Sequence, residues 1–210
     1  MSKESNGSDN TQRLLAICGI IGPVSFAIVL ITLGSLEPGY SHVTQAMSTL
    51  GAPGARYPLI MNIAGLGLLG LMMVALAVGL DRGIRDGKSS KFGPGLIAVS
   101  GVAVMMLGVF HSEPGAEDPT AMGTTHGVFV RIAGFALLLA PLAISPRLKK
   151  DERWHSYVAY SLGTVVVAIV VAVLYASNVF ESWKAVIERI AMAVSLIWIE
   201  VMAIKLLRLS

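Results

Sequence analysis

The sequence predicts an all-α polytopic membrane protein: a bundle of six transmembrane helices with a short amphipathic helix in its first outer loop. Three observations carry that expectation. Apolar residues make up 54% of the 210-residue chain and charged residues only 14%, against about 25% in an ordinary soluble domain. The apolar residues gather into six runs, each near the ~20 residues that cross a bilayer as a helix, and mean hydropathy is +0.71. Twelve of the sixteen Lys and Arg residues fall in alternate connections between those runs.

Residues 1–12 are polar, rich in Ser and Asn, and read as a disordered cytoplasmic tail. Residues 13–210 then form a single transmembrane domain. The first apolar run, 14–36, is too long for a signal-peptide core, and no small-residue cleavage site follows it, so it reads as a retained span. The other spans are expected over 57–80, 92–110, 122–144, 156–179 and 183–207. Each must be helical, because lipid offers no partner to exposed backbone N–H and C=O groups.

Lys3 and Arg13 precede the first span; Arg82, Arg85, Lys88 and Lys91 lie between the second and third. Arg147, Lys149, Lys150 and Arg153 lie between the fourth and fifth, and Lys205 and Arg208 close the chain. The opposite connections keep only Arg56 and Lys184. The positive-inside rule therefore puts both termini in the cytoplasm. The net charge of +3 is a signal of topology; no basic tract or aromatic platform points to nucleic acid. Cys18 is the only cysteine, which excludes an intrachain disulfide.

In the first outer loop, Val43, Ala46, Met47 and Leu50 recur at helical spacing between Ser41 and Gly51. That pattern predicts a short helix capped by Ser41 and ended by Gly51, lying on the membrane surface or folded over the bundle. Glycines lie mostly inside spans: Gly65, Gly67 and Gly70 in the second, Gly101 and Gly108 in the third, Gly127 and Gly134 in the fourth. Ala168, Ala172 and Ala176 form a small-residue row in the fifth. Small residues let helix backbones approach closely in lipid. Pro23 and Pro141 are expected to kink their spans. No internal repeat of the kind that builds inverted-repeat transporters is visible.

Chemistry is expected at the outer end. His111 closes the third span and His126 opens the fourth, under an acidic connection carrying Glu113, Glu117 and Asp118, with His42 on the adjoining loop. Antiparallel neighbours would bring the two imidazoles within about 10 Å. His42, His111, His126, Glu113 and Asp118 are thus candidate ligands for a divalent metal, and the histidines are candidate general acids or bases. The plainer alternative is that they sit at the headgroup level in contact with water. Haem suits the pattern poorly, since both imidazoles lie at the extreme ends of spans.

Arg131 lies about nine residues, roughly 13 Å, into the fourth span, where an unpaired charge is costly. Its expected partner is Glu188, next to Arg189 near the outer end of the sixth span, with Arg131 pointing into a groove at Gly127 and Gly134. The alternative is an anion subsite, for which the Arg fork is suited. His111, His126, Arg131, Glu188 and Arg189 are therefore the candidate catalytic or binding residues. Glu200 lies toward the cytoplasmic end of the sixth span, His155 in a basic loop, and Asn62 and Asn178 near the outer ends of their spans. Asn62 is placed to pin the chain as it re-enters the membrane.

The stretch Tyr40-Ser41-His42-Val43-Thr44-Gln45-Ala46-Met47-Ser48-Thr49-Leu50-Gly51, followed by Asn62 and a Gly-rich span, resembles a bacterial and archaeal membrane family called domain of unknown function 998. Phe110-His111 through Thr125-His126-Gly127 resembles its acidic connection closing in a His at the next span, and Glu188-Arg189-Ile190-Ala191 with Trp198 resembles its closing helix. The resemblance implies six spans in a prokaryotic plasma membrane and no established activity, and it assigns no catalytic residue. It makes His126, Glu188 and Arg189 motif positions. The expected function is binding, or binding and modification, of a lipid or small amphiphile in an outward-facing polar pocket. The alternatives are a non-enzymatic scaffold packing on other membrane proteins or on itself, and a small transporter.

Overall fold

The computed structural model describes residues 2–85, 91–115, 118, 120–177 and 179–210, with side chains from Asp9 onward. Lys88, Glu117, Asn178 and the side chain of Lys3 lie outside the described residues. Six helices long and apolar enough to cross a membrane follow one another: Asp9–Leu36, Ile60–Gly83, Phe92–Val109, Ala121–Lys150, Tyr157–Ala176 and Glu181–Leu209. We label the helices α1 (Ser2–Leu36), α2 (Leu68–Gly83), α3 (Phe92–Val109), α4 (Ala121–Lys150), α5 (Tyr157–Ala176) and α6 (Lys184–Leu209). The protein is an integral, multi-pass membrane protein. The helical backbone of α1 begins within the stretch whose composition suggests a tail, and Gln12 is tied to α2 by donating to the Gly79 carbonyl at 2.6 Å.

Consecutive helices pack side by side, α1 also lies against α6, and α2 touches α1, α3 and α6. Helix α2 is thus the inner helix, and α5 packs mainly on α4 and α6 and buries the least among the described spans. Among the described residues, the start of α1, the end of α6, residues 84, 85 and 91, and residues 151–156 share one end of the bundle, here termed the basic end. Residues 37–59, 110–115, 118, 120, 177 and 179–183 share the other, loop-rich end.

Glycines decide the closest approaches. A Cβ on Gly70 would strike the Gly101 carbonyl, and one on Gly108 would strike the Asn62 backbone, so α3 sits backbone-to-backbone against α2 and the turn before it. Gly127 and Gly134 behave differently from expectation. A Cβ on Gly134 would meet open space and one on Gly127 only the Arg131 guanidinium. The α5 row also fails to pack, because Ala172 and Ala176 are exposed. The physical reason is that α3 takes the neighbouring face of α4, through Ala133, Leu137 and Ala140, where the Ser100 hydroxyl donates to the Ala133 carbonyl at 3.0 Å.

At the basic end, Arg147 is 2% exposed and forms an ion pair with Asp81 at 2.8 Å. The same guanidinium donates to the Asp81 and Ile84 carbonyls, each at 2.7 Å. Arg153 donates to the Gly83 carbonyl at 3.0 Å and to the Asp151 carboxylate at 2.6 Å. Two guanidinium groups therefore satisfy the free carbonyls at the C-terminus of α2, where cations also oppose the helix dipole.

The short helix of the first loop is present but starts later than the spacing suggests. Residues 41–45 make a single turn, and a 3-10 helix follows over Met47–Gly51 with Met47 and Leu50 buried against the bundle. Ser41 caps the turn by accepting from the backbone N–H of Val43 at 3.2 Å and of Thr44 at 3.4 Å. Continuous helix stops at Ala46, whose backbone is extended. Its carbonyl accepts from the Tyr40 hydroxyl at 3.3 Å, while the Met47 N–H is taken by the Glu188 carboxylate. Tertiary bonds thus claim groups that a longer helix would have used.

Candidate functional site

The loop-rich end holds two separate polar groups rather than one. The first is a latch between the first loop and α6. The Arg189 guanidinium donates to the Tyr40 hydroxyl and to the Ala185 carbonyl, the latter at 2.8 Å, and lies 5.9 Å from the Tyr40 ring centroid. Glu188, the next residue, accepts from the Met47 N–H. His42 meets the Tyr40 ring edge-on at 5.1 Å and covers Gly34 of α1, where any Cβ would strike the imidazole. Burial raises the Tyr40 hydroxyl above its ordinary value, with the Arg189 charge opposing. Burial, then the Arg189 charge, lowers His42 below its ordinary 6.5, so this ring is neutral at pH 7.

Asn62 strengthens the same arrangement from the other side. Residues Ile60–Gly67 wind as a π-helix, a form that appears mostly as short bulges in α-helices. Asn62 donates from it to the Gly51 carbonyl at 2.9 Å, so it does pin the re-entering chain. Gly51 has no room for a side chain because Asn62 fills it.

The second group is a cleft of about 530 Å³ between the first loop, residues 112–114 and 118, and α4. Ala46, Ser48 and Thr49 form one wall, Ser112, Glu113, Pro114 and Asp118 another. The floor is the face of α4 bearing Thr120, Gly123, Thr124, His126 and Gly127. Thr120 caps α4 by accepting from the Gly123 N–H at 3.0 Å, and its hydroxyl bonds the Glu113 carboxylate. The Ser112 hydroxyl donates to the Ser48 carbonyl at 2.9 Å and ties the two walls together.

His126 is the most constrained side chain there. It is 7% exposed, and its Nδ1 lies 2.6 Å from the Phe110 carbonyl oxygen. A carbonyl only accepts, so Nδ1 carries the proton and, in the neutral ring, Nε2 is an acceptor; the residue lines the cleft. Such a nitrogen can take a hydrogen bond or a proton from a bound molecule. His111 lies near enough to interact electrostatically with His126, and its own Nδ1 is buried without a hydrogen-bond partner among the described residues. Phe110 and Phe129 stack at 5.5 Å beneath this pair.

Two expectations change. Arg131 does not pair with Glu188, which belongs to the latch. Arg131 is exposed on α4, and among the described residues it has no ion-pair or hydrogen-bond partner. His42 stands with the latch on α1 and does not line the cleft. No three described His, Cys, Asp or Glu side chains come together as a metal would require, so His42, His111, His126, Glu113 and Asp118 gain no support as a metal set.

Sequence reasoning missed Tyr40, Thr120 and the Phe110 carbonyl. Thr120, a capping residue directly before an apolar run, carried a readable signal. The Phe110 carbonyl carried none. No curated protein and no solved structure matches the chain. A family model does match, over residues 20–205, and its description is "Protein of unknown function (DUF998)". The chain belongs to the DUF998 family of proteins of unknown function.

Proposed function

We propose that this protein, with its basic end and both termini in the cytoplasm of a prokaryotic cell, binds a lipid or small amphiphile in the outward-facing cleft over α4. The positive-inside bias supports the orientation. The observation that carries the binding reading is His126, a nearly buried imidazole that lines the cleft, with its Nδ1 committed to Phe110 and no hydrogen-bond partner for its Nε2 among the described residues. A buried ring held in one tautomer beside open polar space suits recognition of a hydrogen-bond donor. The volume of about 530 Å³ lies within the ~300–1,000 Å³ of small-molecule sites. The cleft has polar loop walls, and Val128 and Phe135, further along α4, are exposed apolar side chains. That gradient matches a molecule with a polar head and an apolar tail.

The test is thermal unfolding of the purified protein in detergent with and without added membrane lipid. Lipid raises the melting temperature of the wild type, and Thr124→Trp, which fills the cleft from an exposed helix position, removes the rise. His126→Ala reduces it. A rise of equal size in wild type and both variants contradicts the reading.

A further inference from the structure

We propose that the occupant of the cleft is a glycerophospholipid, its phosphate diester held by Arg131. The inference rests on the reading that the cleft binds an amphiphile. Arg131 lies about 15 Å below the start of α4 at ~1.5 Å per residue, a depth at which charge is costly unless matched. Its guanidinium Nη1 runs back one turn, reaching 3.8 Å from where a Cβ of Gly127 would stand. Gly127 is part of the cleft floor, so the charge arrives at the cleft's lower edge.

The chain offers this charge no counter-ion among its described residues. Glu188 is engaged by the Met47 N–H, and Glu113 is bonded by Thr120. No protein atom covers Gly134, one turn further into the membrane, and Phe135 beside it is exposed. The surface beneath Arg131 is therefore open to acyl chains. A phosphate diester supplies the missing charge, and the planar fork of Arg binds two of its oxygens. Above that point the lining turns to hydroxyls and to Glu113 and Asp118. Those carboxylates accept hydrogen bonds from hydroxyl or ammonium groups and repel a second phosphate. The vertical order of chains, phosphate and polar head matches that of a phospholipid in the leaflet on that side.

Native mass spectrometry of the purified protein tests this with phosphatidylglycerol and diacylglycerol of identical chains, the second of which has no phosphate. Wild type retains phosphatidylglycerol about tenfold better, worth about one charge-assisted bidentate contact. Arg131→Gln abolishes that preference while diacylglycerol binding persists, Arg131→Lys keeps only part of it, and Arg56→Gln, an exposed cation on the first loop, leaves it unchanged. Thr124→Trp loses both lipids. No preference in wild type, or a preference that survives Arg131→Gln, overturns the anchor while leaving the cleft reading intact. Retention of both lipids by Thr124→Trp overturns the cleft reading itself.

Discussion

The two ends of the bundle treat their arginines in different ways. At the basic end, Arg147 and Arg153 are wrapped by Asp81, Asp151 and the last carbonyls of α2. At the loop-rich end, the Arg189 guanidinium of the latch bonds Tyr40 and Ala185 yet keeps a buried Nε without a partner among the described residues, His126 lines a cleft, and Arg131 has no ion-pair or hydrogen-bond partner among the described residues. Bonds saturated by the protein's own groups hold a fold together. Bonding capacity left open in a membrane protein, where unmatched polarity is costly, marks a place for something else.

The contrast makes graded demands. Arg147→Met removes one partner of a buried pair and should cost about 3–5 kcal/mol in unfolding free energy, read by thermal or denaturant unfolding in detergent. Arg131→Gln should leave that quantity within about 0.5 kcal/mol, as expected of an exposed, unpaired side chain. Equal losses at both positions would break the comparison. The packing glycines sharpen it next. Gly70→Leu should destabilise by about 3 kcal/mol, because the new side chain meets the α3 backbone, while Gly134→Ala should be near neutral by the same assay.

Acid tests the basic end alone. Hydrogen bonds from Arg153 hold Asp151 at about 2, below its ordinary 3.8. A lowered carboxyl contributes stability that is fully present above the unfolded value. That contribution disappears as pH falls from about 3.8 to about 2. Its size is on the order of 2 kcal/mol. Asp151→Asn should lose that pH dependence, measured as the melting temperature between pH 5 and about pH 2. The smallest effect belongs to the latch. Glu188→Gln weakens one charge-assisted bond and should cost about 1 kcal/mol. It should raise amide hydrogen exchange at residues 46–51 above that of α2.

What could be read in advance follows from which forces act locally. The six spans and their order were legible because a bilayer imposes a length and a composition on each. The packing of Gly70, Gly101 and Gly108 was legible as glycine within spans, but Gly127 and Gly134 carry the same signature and stay open. Composition says that a backbone can approach, while the neighbouring helix decides whether it does. The candidate residues His126, Glu188 and Arg189 were identified, and their grouping was not. Pairing Arg131 with Glu188 followed from charge and depth alone, whereas the Met47 N–H that Glu188 accepts belongs to a loop forty residues into the chain. Arg147 was visible only as part of a charge bias, since its role arises from carbonyls that a sequence does not display.

Photo-crosslinking with a phosphatidylglycerol carrying a diazirine in its headgroup, followed by peptide mapping, measures the central claim most directly. The account predicts labelling concentrated on residues 46–49 and 120–131 and lost in Thr124→Trp. Labelling spread evenly over the exposed residues of α5 and α1, or unchanged by Thr124→Trp, would contradict it.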